Sequence, residues 1–195
     1  MTFTAKKLAF AEYLAYCDGA DTPYELVDGE LIPMSLGTGR HADIAEFLND
    51  EFRAQIRQMQ RLWTSKQMTV GVRSPRGTRW DTSRIPDVTV LSLAQWETMS
   101  GREAIIDLNE SPPLLVAEVV SRSTTAEDYR SKPSEYALLE IAEYWIVDPL
   151  ALKVTVCALD YRIYDYVEFE GDRSIISPTF PDIALTADQI LAGSR

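Results

Sequence analysis

One apolar run in the second half of the chain constrains the fold more than any other feature. The stretch PPLLVAEVV, residues 112–120, is apolar at every position except Glu118. A strand that has one solvated face alternates apolar and polar side chains, whereas a strand without alternation is covered on both faces. The run therefore predicts a strand that lies inside a sheet and is covered on both sides.

Turn residues and periodicity predict the elements around this strand. YELVDGELIPM is typical of two short strands joined at Asp28 and Gly29, because this dipeptide supplies the positive φ angles that a tight hairpin requires. Apolar residues at helical spacing predict helices over residues 4–17 and 41–60, and residues 63–73 favour a strand interrupted near 65–67. Further strands are predicted in PDVTVLSL, EYWIVDP, LKVTVCAL and RIYDYVEFE, and further helices over 94–99, up to about 142, and over 186–191.

Length and composition are those of one globular domain. The chain has 195 residues, 46% of them hydrophobic, so we expect a single domain with a substantial core over residues 1–195. Cys17 and Cys157 match no zinc-binding spacing, which predicts two reduced, buried thiols. Glu12 interrupts the apolar N-terminal stretch, and no run reaches the roughly 18 apolar residues that span a bilayer. These features predict a cytoplasmic protein with no membrane partner.

Net charge argues against a nucleic-acid ligand until its distribution is considered. The 19 basic and 30 acidic residues give a net charge of −11, which repels polyanions. Between Arg53 and Arg84, however, eight basic residues accompany one acid, Asp81. This segment predicts a locally basic face, although a solvated helix face followed by a charged loop would have the same composition. The candidate nucleic-acid contacts are Arg73, Arg76, Arg79 and Arg84.

Two acids stand where an unpaired carboxylate is unfavourable. Asp87 opens the strand VTVL, and Glu118 interrupts the apolar run. A buried carboxylate takes up a proton unless it has a partner, so such residues are usually paired. If the two strands are neighbours, the carboxylates converge at one edge of the sheet, and Mg²⁺ or Mn²⁺ between them would offset their repulsion. Each acid could instead be a hydrogen-bonded residue at a strand end.

The segments around these acids resemble one family. RIPDVTVL, PPLLVAEVVSRST, DYRSKPSEYA and EYWIVDP are similar to the Uma-two family of endonucleases within the PD-(D/E)XK superfamily. YELVDGELIPMS, the GRH before the second helix and the closing SPTFPDIAL also match, so the resemblance covers nearly the whole chain. It implies an α/β (α+β), restriction-endonuclease-like fold in which helices flank a mixed central sheet, together with the N-terminal helix and β-hairpin.

The resemblance also implies a metal-dependent phosphodiesterase site. Asp87 matches the aspartate of the PD element and Glu118 the acid of the E-x-K element, but Val120 stands where that lysine would be, and Lys132 in the following helix is expected to substitute. Mg²⁺ or Mn²⁺ held by Asp87, Glu118 and the backbone carbonyl of Val119 would polarise the scissile phosphate and lower the pKa of water. Lys132 would orient that water or neutralise developing charge. The alternative is that Lys132 is an ordinary helix lysine whose ammonium is solvated and takes no part in catalysis.

Several other residues are weaker candidates. Glu25 matches an early acid of the family and could be a catalytic residue or a metal ligand, with packing on the hairpin as the alternative. His41 is the only histidine, and although it could act as a general base or contact phosphate, a capping or surface role is favoured. Ser121, Ser123 and Thr124 could contact phosphate through their hydroxyls, but capping of the following helix is favoured.

Two functions remain open at this point. The leading hypothesis is a Mg²⁺-dependent endonuclease that hydrolyses the phosphodiester bonds of DNA. The alternative is a catalytically inactive nuclease fold that serves as a binding or assembly module, which the acidic body and the displaced lysine favour. Superfamily nucleases often act as dimers, so we also expect a homodimer, with the aromatic-rich meander over residues 154–169 as its interface.

Overall fold

The chain enters its first sheet through the predicted hairpin. In the computed structural model, which describes residues 7–16, 23–34, 36–75 and 81–194, strands β1 (Tyr24–Val27) and β2 (Glu30–Pro33) pair antiparallel. Asp28 and Gly29 between them have φ angles of 49° and 80°. These values lie in the left-handed region that a short hairpin turn needs, so the hairpin prediction is confirmed.

Most of the predicted helices are present with shifted bounds. The N-terminal helix begins later than residue 4, because Leu8 precedes it and donates its N–H to the Gly29 carbonyl oxygen. The helix predicted up to residue 142 ends at Leu138, and its first turn is a wide π-helical turn. The helices are α1 (Phe10–Leu14), α2 (Gly39–Gln58), α3 (Leu93–Thr98), the π turn (Glu127–Ser131), α4 (Lys132–Leu138) and α5 (Ala187–Ala192).

The remaining strands follow the predicted order, with one break displaced. The predicted strand over residues 63–73 is interrupted after Gln67 rather than near 65–67, where Met68 has a φ of 47° and separates two strands. The strands are β3 (Trp63–Gln67), β4 (Gly71–Pro75), β5 (Asp81–Arg84), β6 (Val88–Ser92), β7 (Ile105–Ile106), β8 (Leu115–Val119), β9 (Glu143–Asp148), β10 (Lys153–Asp160) and β11 (Ile163–Glu170).

Within the described residues the strands form two sheets rather than one central sheet. The first has the order β2-β1-β5-β4-β7, and the second has the order β11-β10-β9-β8-β6-β3. Both are mixed, because β4 and β7 run parallel in the first sheet and β8 and β9 run parallel in the second, while their other neighbours are antiparallel. The predicted mixed α/β fold flanked by helices is therefore confirmed, with its strands divided between two sheets.

The central strand β8 is covered on both faces, as its continuous apolarity predicts. On one face α2 and α5 pack through Ile44, Leu48 and Ile190 against alternate residues of the sheet. On the other face Tyr136 of α4 and Val72 of the first sheet pack against the intervening residues. The helix α4 thus lies beside both sheets, which brings its side chains to the end of β8 where Glu118 stands.

Three further expectations can be compared with the structure. Cys157 is a free, buried thiol, as predicted, and burial raises its pKa; Cys17 lies outside the described residues. None of the described helices combines the length and apolarity that a membrane span requires. The meander β10–β11 is present, with β11 at an edge of the second sheet. The homodimer through this meander and the single domain over residues 1–195 stay predictions.

Candidate active site

The two acids singled out in the sequence lie at the same end of neighbouring strands. β6 and β8 are antiparallel, with Val88 opposite Ala117. Asp87 directly precedes β6, and its carboxylate accepts a hydrogen bond from the N–H of Val119, the residue after Glu118. Both side chains are buried, with exposed fractions of 6% for Asp87 and 4% for Glu118.

Asp87 is held by a histidine and by the backbone of β8. Its Oδ1 lies 2.9 Å from Nε2 of His41, and its Oδ2 accepts a hydrogen bond of 2.7 Å from the Val119 N–H. His41 stands in the first turn of α2, where its ring packs against Gly37; a Cβ on Gly37 would lie 3.1 Å from the ring Cγ. The favoured expectation of a capping or surface histidine is therefore wrong for the side chain, which is directed at Asp87.

This contact predicts a positioning role for His41. If Asp87 holds the metal ion that the family resemblance implies, replacing His41 by alanine is expected to weaken Mn²⁺ binding, measured by calorimetry, by about 10-fold or more, the effect typical of losing a group that orients a ligating carboxylate. Gly37→Ala should weaken it in the same direction by a smaller factor, because the added methyl displaces the ring. Gly39→Ala is the matched control, since a Cβ there meets no atom within 4 Å. Equal affinities for all three variants would contradict the role.

Glu118 is held by two side chains of the helix that follows β8. Its Oε1 accepts a hydrogen bond of 2.8 Å from the Tyr136 hydroxyl, and its Oε2 lies 2.9 Å from the Lys132 ammonium. Lys132 also lies 2.8 Å from Oδ1 of Asp128, a third buried carboxylate, whose Oδ2 accepts from the Thr124 hydroxyl. Lys132 is only 4% exposed, so it is a buried ammonium between two carboxylates and not a solvated helix lysine.

The π turn explains how one helix directs three side chains, each four residues after the previous one, toward Glu118 and its neighbours. Asp128, Lys132 and Tyr136 are spaced by four residues, and in a helix with about 3.6 residues per turn such a series drifts around the axis. The turn Glu127–Ser131 is wider, with bonds from residue i to i+5, so it rotates the series in the opposite sense. The two drifts offset each other. Asp128 thus contacts Lys132, while Tyr136 and Lys132 both contact Glu118.

The charges in this cluster are only partly balanced by the protein. Burial raises the pKa of Glu118 to about 8, opposed by the charge of Lys132 and assisted by Asp87 and Asp128. Burial also raises the pKa of Asp128, again opposed by Lys132. Burial alone would lower the pKa of Lys132, but the charges of Glu118 and Asp128 outweigh burial and raise it. The hydrogen bond to Asp87 raises the pKa of His41, against the opposing effect of burial.

The donor set at this end of the sheet fits a divalent cation. Of three buried carboxylates, Glu118 and Asp128 contact the Lys132 ammonium and Asp87 contacts His41, so this end of the sheet offers the oxygen donors that a hard cation prefers. In the described part of the chain no three acidic, histidine or cysteine side chains stand at mutual ligand spacing. Mg²⁺ commonly takes only one or two protein carboxylates and completes its shell with water and phosphate oxygens. Asp87 and Glu118 meet that requirement.

Glu25 and Arg84 form a second layer behind the acids. Arg84 is 2% exposed, and it pairs with both oxygens of Glu135 at 2.9 and 3.1 Å and with Glu25 at 3.1 Å. Burial alone would lower the pKa of Arg84, but these carboxylates raise it. The second oxygen of Glu25 accepts from the Ile85 N–H, so this network fixes the chain two residues before Asp87. The prediction that Arg84 contacts nucleic acid is wrong, because its guanidinium is enclosed by carboxylates.

The other predicted nucleic-acid contacts are also changed by the structure. Arg73 pairs with Asp81 at 2.8 Å and with Asp107 at 2.7 Å, and its guanidinium lies over the ring of Phe10. Its charge is therefore neutralised by the protein itself, so it does not supply the free cation that the prediction requires. Arg76 and Arg79 lie outside the described residues.

The hydroxyl residues after β8 support the cluster through side chains. Thr124 accepts from the Ser121 N–H and donates to Asp128, and the Ser121 hydroxyl contacts those of Ser123 and Thr124 at 3.1 and 3.0 Å. Capping of the helix is the expectation that the sequence favours for these residues. Thr124 instead uses its hydroxyl to fix Asp128 at the start of the π turn. Val120, at the position of the superfamily lysine, packs in the core.

Asp128 and Tyr136 were not recognised as site residues in the sequence, although a signal was present. In DYRSKPSEY the aspartate, lysine and tyrosine are spaced by four residues, so a helical reading of this segment sets them near one another. An ordinary helix face gives the same spacing, and the π turn that aligns the three has no recognised sequence pattern.

Comparison with known proteins identifies the family of the chain and agrees with its fold. The family model named Uma2, described as "Putative restriction endonuclease", matches residues 10–188. No curated protein matches the chain. A crystal structure of "a putative nuclease belonging to DUF820 from Anabaena variabilis ATCC 29413" is similar to this fold with a TM-score of 0.73, at 16% identity over 95% of this chain and 98% of that chain. The chain belongs to the Uma2 (Uma-two) family of "Putative restriction endonuclease" proteins.

Proposed function

We propose that this protein is an endonuclease that hydrolyses phosphodiester bonds of DNA with the help of Mg²⁺ or Mn²⁺. Membership of a nuclease family supports the reaction class. The single observation that carries the proposal is the buried cluster in which Lys132 contacts Glu118, beside the carboxylate of Asp87. A sheet end with two carboxylates and an ammonium suits a reaction in which negative charge develops on phosphate oxygens.

Each residue of the cluster has a separate task in this proposal. Asp87, Glu118 and the backbone carbonyl of Val119 would hold the ion. When bound, the ion supplies Lewis-acid activation of the phosphate and of the attacking water. Lys132 is a preorganised cation whose ammonium stabilises charge on the phosphate, a contribution of about 3 kcal/mol for a single donor. Tyr136 fixes the orientation of the Glu118 carboxylate by donating its hydroxyl hydrogen.

Plasmid cleavage tests the proposal. The purified protein with Mg²⁺ or Mn²⁺ is expected to nick or linearise supercoiled plasmid, and EDTA is expected to stop the reaction. Asp87→Asn and Glu118→Gln keep the shape of the side chains but remove their charges, so each should lower the cleavage rate by at least about 100-fold. Glu140→Gln, an exposed acid paired with Arg162, is the matched control and should cleave normally. Cleavage that survives both active-site substitutions would exclude this site.

A non-catalytic nuclease fold that binds or assembles with other molecules is the second candidate. The closed pairing of Lys132 with Glu118 and Asp128 favours it, since these carboxylates already have a cation. Calorimetry with Mn²⁺ separates the two candidates. Saturable binding that Asp87→Asn abolishes supports the enzyme, whereas DNA affinity without any metal binding supports the module.

A further inference from the structure

A group of basic side chains, of which only one has a carboxylate within 4 Å among the described residues, lies on the opposite side of β6 from β8. Arg53 and Arg57 belong to the second half of α2, Arg61 follows the helix, and Lys66 belongs to β3, the edge strand of the second sheet. We call these four residues the basic edge. Arg53 approaches β3 closely, because its Nε donates to the Ser65 carbonyl oxygen at 3.2 Å.

The basic edge differs from the other arginines of the same segment in its partners. Among the residues that the structure describes, Arg57, Arg61 and Lys66 contact no carboxylate, and Arg53 has only the exposed Asp50 at 3.9 Å. On a protein with a net charge of −11, unpaired cations concentrated along one edge create a local field of opposite sign. That field attracts a polyanion to the basic edge. The arginines that pair with carboxylates attract a polyanion much less.

Two tryptophan rings support the basic edge. Arg61 lies over the ring of Trp63 at 5.5 Å, and Lys66 lies over the ring of Trp96 at 4.0 Å. A cation over an aromatic face is attracted by the ring and loses some of its conformational freedom. Both side chains are thus partly ordered in advance, which lowers the entropy that they lose on binding a phosphate.

The basic edge leads directly to the candidate active site. Gln67, at the end of β3, pairs with Val88, and the next residue, Met68, donates its N–H to the carbonyl oxygen of Asp87. From Trp63 to Gln67 the strand extends about 13 Å at its usual rise. Because successive phosphates of one DNA strand are about 3.4 Å apart along the helix axis, this length corresponds to about four nucleotides.

We propose that the basic edge binds the phosphate backbone of the nucleic acid whose cleaved phosphate lies at Asp87 and Glu118. This inference rests on the proposed nuclease function and adds the surface that holds the substrate. The contacts are to phosphates and carry no base preference, so the affinity depends on salt and little on sequence. Arg57, Arg61 and Lys66 are the principal contacts, since Arg53 is partly neutralised by Asp50.

Fluorescence anisotropy of a labelled 20-base-pair DNA duplex in EDTA tests the proposal without cleavage. The triple variant Arg57→Gln, Arg61→Gln and Lys66→Gln should bind about 10-fold or more weakly, and its slope of log affinity against log salt should be shallower by about 3 than that of the unaltered protein. The matched control replaces Arg102, Arg162 and Arg173 by glutamine. It makes the same change in net charge at paired or distant positions and should keep the original slope.

The outcomes separate this inference from the proposed function. An unaltered slope in the triple variant would overturn the inference and assign the cations to protecting the open edge of β3 from other strands. Equal losses in both triple variants would also overturn it, since net charge alone would then explain binding. If the unaltered protein fails to cleave plasmid with Mg²⁺ or Mn²⁺, the proposed function fails, while the anisotropy in EDTA still reports on the basic edge.

Discussion

Replacing Arg84 by methionine is expected to lower the free energy of unfolding by about 3–5 kcal/mol, the range observed when one partner of a buried ion pair is removed. Arg84 is almost fully buried, and its guanidinium is the common partner of Glu25 and Glu135. Without it, both carboxylates lose the guanidinium that pairs with them. Urea unfolding followed by circular dichroism measures the change, with the midpoint converted to free energy through the common slope.

Two further variants show whether the loss comes from the two acids that lose the guanidinium. Arg162→Met removes an exposed arginine from its pair with Glu140 and should change the free energy of unfolding by less than about 1 kcal/mol. The double variant Arg84→Met with Glu135→Leu should lose less than the sum of the two single losses, because it also removes one of the two carboxylates that lose the guanidinium. Additive losses would contradict this account and indicate that the arginine stabilises the fold through its packing.

Replacing Lys132 by methionine is expected to separate metal binding from catalysis. The variant loses the ammonium that contacts Glu118 and Asp128, so the plasmid cleavage rate should fall by about 100-fold or more, as when a single preorganised donor is removed from an active site. The same substitution removes a cation that competes for these carboxylates. The dissociation constant for Mn²⁺, measured by calorimetry, should therefore stay the same or decrease.

A second variant, Asp87→Asn, is compared with Lys132→Met because its expected effect on Mn²⁺ binding is the opposite. Asp87→Asn should lose both Mn²⁺ binding and cleavage, since it removes a proposed ligand. Lys7→Met is the control for removing a lysine, because Lys7 pairs with Asp28 in the turn of the hairpin. If Lys132→Met cleaves plasmid at the normal rate, the ammonium is a structural counter-ion of Glu118 and takes no part in the reaction.

Local patterns in the sequence were sufficient for most of the elements. The Asp28-Gly29 turn defines the hairpin because few other dipeptides adopt its φ angles. The continuous apolarity around Glu118 predicts a doubly covered strand, and the structure places helices of different parts of the chain on its two faces. The division into two sheets could not be predicted in this way, because strand pairing between distant segments depends on which edges the whole chain brings together.

The candidate site was predicted less completely than the elements. Asp87 and Glu118 stand out as acids in apolar strands, Lys132 follows from the family resemblance, and the structure brings Glu118 and Lys132 into contact. The assignment of Arg84 to nucleic acid failed for a physical reason. A charge count along the sequence cannot distinguish a solvated arginine from one that two distant carboxylates enclose.

The amino-acid sequence by itself determined the hairpin, the covered central strand and the positions of the chemically costly acids, since these depend on turn conformation and on the apolarity of neighbouring residues. Only the tertiary structure decided which charges meet. His41 reaches Asp87 across 46 positions, Arg84 joins Glu25 and Glu135 across more than 50, and the π turn directs Asp128 toward Lys132. Such pairings depend on through-space distance, because the free energy of a buried charge is set by the charges around it in the folded protein.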